Sequence, residues 1–166
     1  YQDVTLTKNG SSGTADNAGA FHILYAAAGG TGISADGNVF WDQDNWNLLD
    51  AAEEGDWFGQ SLACGDFDGD GYADLAVGIP AEDVGAVANA GAVHVLYGSA
   101  GGLTSDGDQF WHQNVSGIGG IANAEDRFGY ALAVGDFDGD RCDDLAIGVP
   151  NEGLGSGNSY GSVNVL

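Results

Sequence analysis

The chain has 166 residues, of which 25 are acidic and three basic, for a formal net charge of -22. Lys8, Arg127 and Arg141 cannot build a basic patch, which excludes a phosphate-backbone binder and disfavours anionic membrane surfaces. A hydrophobic content of 43% suffices for one globular domain or part of one, and the 30 glycines punctuate turns without a collagen period.

In chain order, Tyr1-Gln2-Asp3-Val4-Thr5-Leu6 matches Tyr72-Ala73-Asp74-Leu75-Ala76-Val77, so a strand is expected near the start, led by the end of an acidic loop. Gly19-Ala20-Phe21-His22-Ile23-Leu24-Tyr25 reads as the next strand, and Phe40-Trp41 marks another. Residues 60 to 65 are short and apolar. Asp66 to Asp74 is a loop, and Leu75 to Ile79 is an apolar run closed by Pro80, as expected of a buried strand. Residues 81 to 90 lack periodicity. Residues 91 to 97 and 108 to 113 are the third and fourth strands of this set, and 114 to 127 is a loop.

The set then repeats 70 residues on. Phe58-Gly59 recurs as Phe128-Gly129, Asp74 to Pro80 as Asp144 to Pro150, and Phe40-Trp41 as Phe110-Trp111. Gly91 to Leu96 recurs as Gly161 to Leu166. Repetition of this quality decides the architecture before propensity does. Four short sequential strands per repeat, with no amphipathic helix between them, specify an all-β, partial β-propeller of four-stranded antiparallel blades. The expected blades are an incomplete first at 1–57, a complete one at 58–127 and an incomplete last at 128–166, with ten strands in all. The chain starts inside a loop and stops inside a strand. It is therefore expected to be a matured or trimmed piece of a longer propeller, completed by further blades of the same protein or by other chains.

The acidic loops carry the chemistry. Asp66, Asp68, Asp70 and Asp74, and again Asp136, Asp138, Asp140 and Asp144, stand at positions 1, 3, 5 and 9. Four like charges so close repel unless a hard cation that accepts six to eight oxygens neutralises them, and calcium fits best. Magnesium prefers octahedral sites that keep several waters. The twelfth-position Glu of an EF-hand is absent: Val77 and Ile147 stand there. The competing explanation is a plain turn in which Asp caps its own backbone. Two copies in matching β context favour metal, at two calcium sites per chain. Arg141 replaces Gly71 in the second loop, at a position that a left-handed backbone makes uncomfortable for Arg.

Phe-Gly, a strand, Asp-x-Asp-x-Asp-Gly-x-x-Asp and Leu-Ala-Val-Gly-Ile-Pro resemble the FG-GAP repeat. That is the repeat of the seven-bladed propeller of integrin α subunits and of secreted bacterial proteins. Gly91 to Thr104 and the following Trp111 are similar to actinobacterial secreted members. The resemblance implies calcium on the lower propeller face, held by the named carboxylates with the backbone carbonyls of Tyr72 and Cys142, and partners on the upper face. It makes Asp3 the last ligand of a third site that cannot bind an ion by itself. It also allows a phospholipase domain outside this chain.

No catalytic set emerges. His22 and His94 share one repeat position, which points to structure. Zinc would need three or four convergent ligands, and nothing supplies them. Cys64 and Cys142 can form one disulfide or remain two free thiols. Phe58, Phe128, Trp41 and Trp111 are expected in the core between blades. Trp46 and Trp57 have no aromatic counterparts, since Ser116 and Arg127 stand there, and are the candidates for sugar stacking. The expected function is a secreted, extracellular, calcium-binding, non-catalytic propeller module presenting protein- or glycan-binding surfaces. The alternatives are part of a hydrolase with its catalytic residues elsewhere, or a lectin.

Overall fold

A computed structural model describes residues 4–8, 11–26, 32–44, 46–153 and 159–166, with the side chains of 4–8 and 11–14 outside the description. Eleven strands and no helix occur among the described residues. They are β1 (Val4–Lys8), β2 (Ser11–Ala15), β3 (Phe21–Ile23), β4 (Val39–Trp41), β5 (Ser61–Gly65), β6 (Asp74–Ile79), β7 (Ala92–Tyr97), β8 (Thr104–Trp111), β9 (Ala131–Gly135), β10 (Asp144–Val149) and β11 (Ser162–Val165). No helix among them is long and apolar enough to cross a membrane.

The central sheet is four-stranded, in the order β5-β6-β7-β8, and every neighbouring pair is antiparallel. The next sheet repeats its first three strands, β9-β10-β11. This all-β, antiparallel, repeated arrangement is a partial β-propeller. Two expectations are corrected. The first group was read as three strands, but β1 pairs with β2 in a hairpin of its own, and β3 pairs with β4. β2 is the added strand that makes eleven. Pairing with a strand that begins three residues downstream closes the shortest loop and loses the least chain entropy. β8 also starts earlier than the expected residue 108, because a register shift after Val95 lets Tyr97 pair with Thr104.

The core lies between sheets and follows from strand alternation. On β6, Leu75, Val77 and Ile79 face back towards Phe21, Trp41, Leu48 and Phe58. Ala76, with Val93 and Val95 of β7, faces forward to Phe128, Leu145, Ile147 and Val149. β6 is buried throughout, so it reads as a continuous apolar run. The Phe-Gly motif is the clasp between neighbours. Trp57 N donates to Asn17 O at 3.2 Å and Phe58 N to Ala18 O at 2.7 Å; Arg127 N and Phe128 N repeat this on Asn89 O and Ala90 O at 3.3 and 2.8 Å. Ser61 Oγ then donates to Gly129 O at 2.7 Å. A side chain at Gly78 would collide with both Ser61 Oγ and Gly129 O, so the strand needs glycine there for close approach.

Candidate metal centre

Each acidic loop bridges the first two strands of a sheet. Asp66 follows β5 and Asp74 opens β6; Asp136 follows β9 and Asp144 opens β10. The loops wind by carboxylate-to-backbone bonds. Gly71 N donates to Asp66 Oδ2 at 3.1 Å, Asp70 N to Asp68 Oδ1 at 3.1 Å, and Tyr72 N to Asp70 Oδ1 at 2.8 Å. In the second loop Arg141 N donates to Asp136 Oδ2 at 3.2 Å, Asp140 N to Asp138 Oδ1 at 3.0 Å, and Cys142 N to Asp140 Oδ1 at 2.8 Å.

This winding gathers Asp66, Asp68 and Asp74, and separately Asp136, Asp138 and Asp144, each triad with carboxylate oxygens within 4.8 Å of one another. Asp70 and Asp140 stand outside the triads, each with one oxygen on a backbone N–H. Tyr72 and Cys142 occupy the seventh loop position, where the expected carbonyl ligands belong. Asp3 lies outside the described residues. Asp74 is buried, and its oxygens accept from Phe67 N at 2.7 Å and Gly98 N at 2.8 Å. Burial raises its pKa; those two bonds work against the rise, and Asp68 and Asp66 add to it. Burial, followed by Asp140, Asp66, Asp136 and Asp138, raises that of the Cys142 thiol.

The donor set consists of oxygens, and Asp66 Oδ1 is buried with no hydrogen-bond partner. A buried, unsatisfied anionic oxygen inside a triad of carboxylates fits a hard cation. The backbone expectation at Arg141 also holds: its φ is 84°, beside 89° for Gly71.

The aromatic expectations divide. Trp41, Phe58 and Phe128 are buried core residues, and Trp111 packs half-buried against the second cluster. Trp46 is corrected: it stacks on Trp41 with ring centroids 4.3 Å apart and donates Nε1–H to Phe40 O, so it is packing and not a free platform. Trp57 stays half-exposed, with the Arg127 guanidinium 5.9 Å from its ring centre, and lines a cavity of about 400 Å³ with His22, Phe40, Asn17 and Gln60. His22 is exposed, whereas His94 is fully buried. Burial lowers the His94 pKa to about 4, although Asp108 Oδ2 lies 3.4 Å from its Nδ1. Cys64 and Cys142 are free thiols, so the disulfide alternative is set aside.

Sequence reasoning missed a second acidic feature between the sheets. Gln43, Asp56 and Glu82 are buried, and Gln43 Nε2 donates to Glu82 Oε2 at 3.4 Å. Gln113, Asp126 and Glu152 repeat them 70 residues on, again with the Gln amide on the Glu carboxylate. Burial, then Asp56 and Asp50, pushes Glu82 up to about 10; burial pushes Asp56 up to about 7. The 70-residue recurrence of these polar positions was the signal that could have found them.

Comparison with known proteins gives a consistent picture. The model of the FG-GAP repeat matches residues 58–96 and 128–166. A phosphatidylinositol-glycan-specific phospholipase D of Rattus norvegicus is 37% identical over 110 residues, 64% of this chain and 13% of that protein. Integrin alpha-PS2 of Drosophila melanogaster is 34% identical over 118 residues, 68% of this chain and 8% of its own length. Human integrin alpha-E is 38% identical over 122 residues, 71% and 10% respectively. The chain thus spans roughly a tenth of these relatives.

Proposed function

The chain belongs to the FG-GAP repeat family, and on that premise we propose that it is a calcium-stabilised propeller segment, with blades at 1–57, 58–127 and 128–166, that presents a binding surface and performs no chemistry itself. Two calcium ions bind, one in the loop of Asp66, Asp68, Asp70 and Asp74 and one in that of Asp136, Asp138, Asp140 and Asp144, aided by the carbonyls of Tyr72 and Cys142. The observation that carries this reading is the double triad of convergent carboxylates, one with an orphaned buried oxygen. When bound, the ion supplies charge neutralisation and holds the loop. Secretion follows as part of the proposal, since millimolar extracellular calcium keeps sites of modest affinity loaded.

Isothermal titration of metal-stripped protein tests it. Two ions per chain are expected, and fewer would sink the two-site reading. The ligand is proposed to be a protein or a glycan, and the half-exposed Trp57 beside the 400 Å³ cavity is the favoured stacking platform for a sugar. Glycan binding that survives Trp57→Ala would remove that residue from the role.

A second reading rests on the similarity to a phosphatidylinositol-glycan-specific phospholipase D: the segment belongs to a hydrolase whose catalytic residues lie outside this chain. A screen of hydrolytic substrates on the source protein separates the two.

A further inference from the structure

The two acidic loops touch each other, and the contact is made by a residue outside both sets of carboxylate ligands. Asp143 N donates to Asp66 O at 2.9 Å, and Asp66 N donates back to Asp143 Oδ2 at 3.0 Å. The pair of bonds brackets the peptide of Asp66, the first carboxylate of loop 66–74. Asp143 itself sits between Cys142 and Asp144 of loop 136–144. The approach is close: a Cβ added to Gly65 would lie 3.0 Å from Asp143 Cβ, and one added to Gly69 would lie 3.1 Å from Cys142 Sγ. Residues 142 and 143 therefore meet the first loop at two separate points. The matching position in loop 66–74 is Ala73, which has no carboxylate to offer.

We propose that the two loops load calcium cooperatively, with Asp143 as the positioning residue that couples them. The inference rests on the calcium reading above. An ion in loop 136–144 fixes residues 142 to 144, and hence the backbone N–H and carboxylate of Asp143. These hold Asp66 in place, so loop 66–74 has less freedom left to lose when its own ion arrives. The coupling is reciprocal: filling loop 66–74 aids loop 136–144 by the same factor. Neutralising one loop also weakens the attraction felt by the other. Salt reduces that opposing effect without removing it between loops in contact, and the proposal is that the bracket outweighs it.

The test is calcium titration of the full chain at physiological ionic strength, with Asp138→Asn disabling loop 136–144. With Asp143 present, this substitution is expected to weaken the ion in loop 66–74 by about fivefold or more. Asp143→Asn keeps an oxygen for Asp66 N and should preserve that dependence. Asp143→Ala removes the carboxylate half of the bracket and keeps the backbone N–H, so it should reduce the dependence clearly below that of the unsubstituted chain. A purely structural role for Asp143 would shift both affinities without reducing their dependence on each other. The proposal is overturned if Asp138→Asn leaves loop 66–74 unchanged in the Asp143 protein, an arm that needs no Asp143 variant to fold. It is also overturned if the dependence is undiminished in Asp143→Ala. Fewer than two ions in the unsubstituted chain would instead remove the calcium reading.

Discussion

Loops 66–74 and 136–144 are built from one motif and differ in how the fold holds them. Asp74 is buried and bonded on both oxygens, to Phe67 N in its own loop and to Gly98 N beyond β7. Asp144 is bonded to Phe137 N in the same way as Asp74 to Phe67 N, and the position that would match Gly98, 70 residues on, lies past Leu166. The first loop also receives the Asp143 bracket from the second. The second contains Arg141 at a φ of 84°, where the first has glycine. The same contrast recurs in the buried acids between sheets: Asp50 joins Gln43, Asp56 and Glu82, whereas its counterpart beside Gln113 and Glu152 is Gly120. Copies of a repeat share chemistry, then, while their neighbours set how tightly each copy is held.

Removing calcium is the largest perturbation expected. On the proposed calcium reading, each site should contribute about 3 kcal/mol when calcium exceeds its Kd a hundredfold, so chelator should lower the melting temperature and calcium should restore it. In chelator, amides of loop 136–144 should exchange faster than those of loop 66–74. Equal rates would break the comparison, and an unchanged melt would leave the loops as turns only. Next in size, Asp74→Ala in chelator should cost about 2 kcal/mol by urea denaturation, since two backbone N–H groups lose their acceptor.

The buried acids give a pH test. Glu82 is raised from 4.5 to about 10 and Asp56 from 3.8 to about 7, so the folded state favours their protonated forms. The stability they contribute is full below about pH 4 and is lost as pH rises through 7 for Asp56 and towards 10 for Glu82. Glu82→Gln should therefore stabilise the protein by about 1–2 kcal/mol at pH 8 and hardly at all at pH 4.5, read from thermal melts. His94 acts in the opposite direction: its pKa is depressed, so its contribution is present above pH 6.5 and lost as pH falls towards 4. The Glu82→Gln comparison between pH 8 and pH 4.5 leaves His94 unaltered in both proteins. The smallest effect expected is from Arg141→Gly, which should relieve a strained left-handed residue and stabilise loop 136–144 by about 0.5–1 kcal/mol in chelator. No gain would mean that Arg141 has compensating contacts.

Much was legible in the residues because a repeat states its own boundaries. The 70-residue recurrence placed β5 to β7 and β9 to β11 within a few residues, and the unbroken apolar run of Leu75 to Ile79 foretold that β6 is buried on both faces. The acidic spacing singled out the carboxylates of both triads together with Asp70 and Asp140, which stand outside them, and Gly71 at the matching position marked Arg141 for a positive φ. These are local properties: carboxylate spacing and strand period are written in consecutive residues. Pairing was not. β1 joins β2 because the shortest loop closes first, and no pattern in residues 4 to 15 says so. Nor could the chain alone show that Trp46 stacks on Trp41, that Gln43 and Glu82 meet across 39 residues, or that Asp143 clasps Asp66 across 77. Those contacts depend on how one sheet lies against the next, and packing between sheets is decided by three-dimensional approach, which has no sequence period of its own.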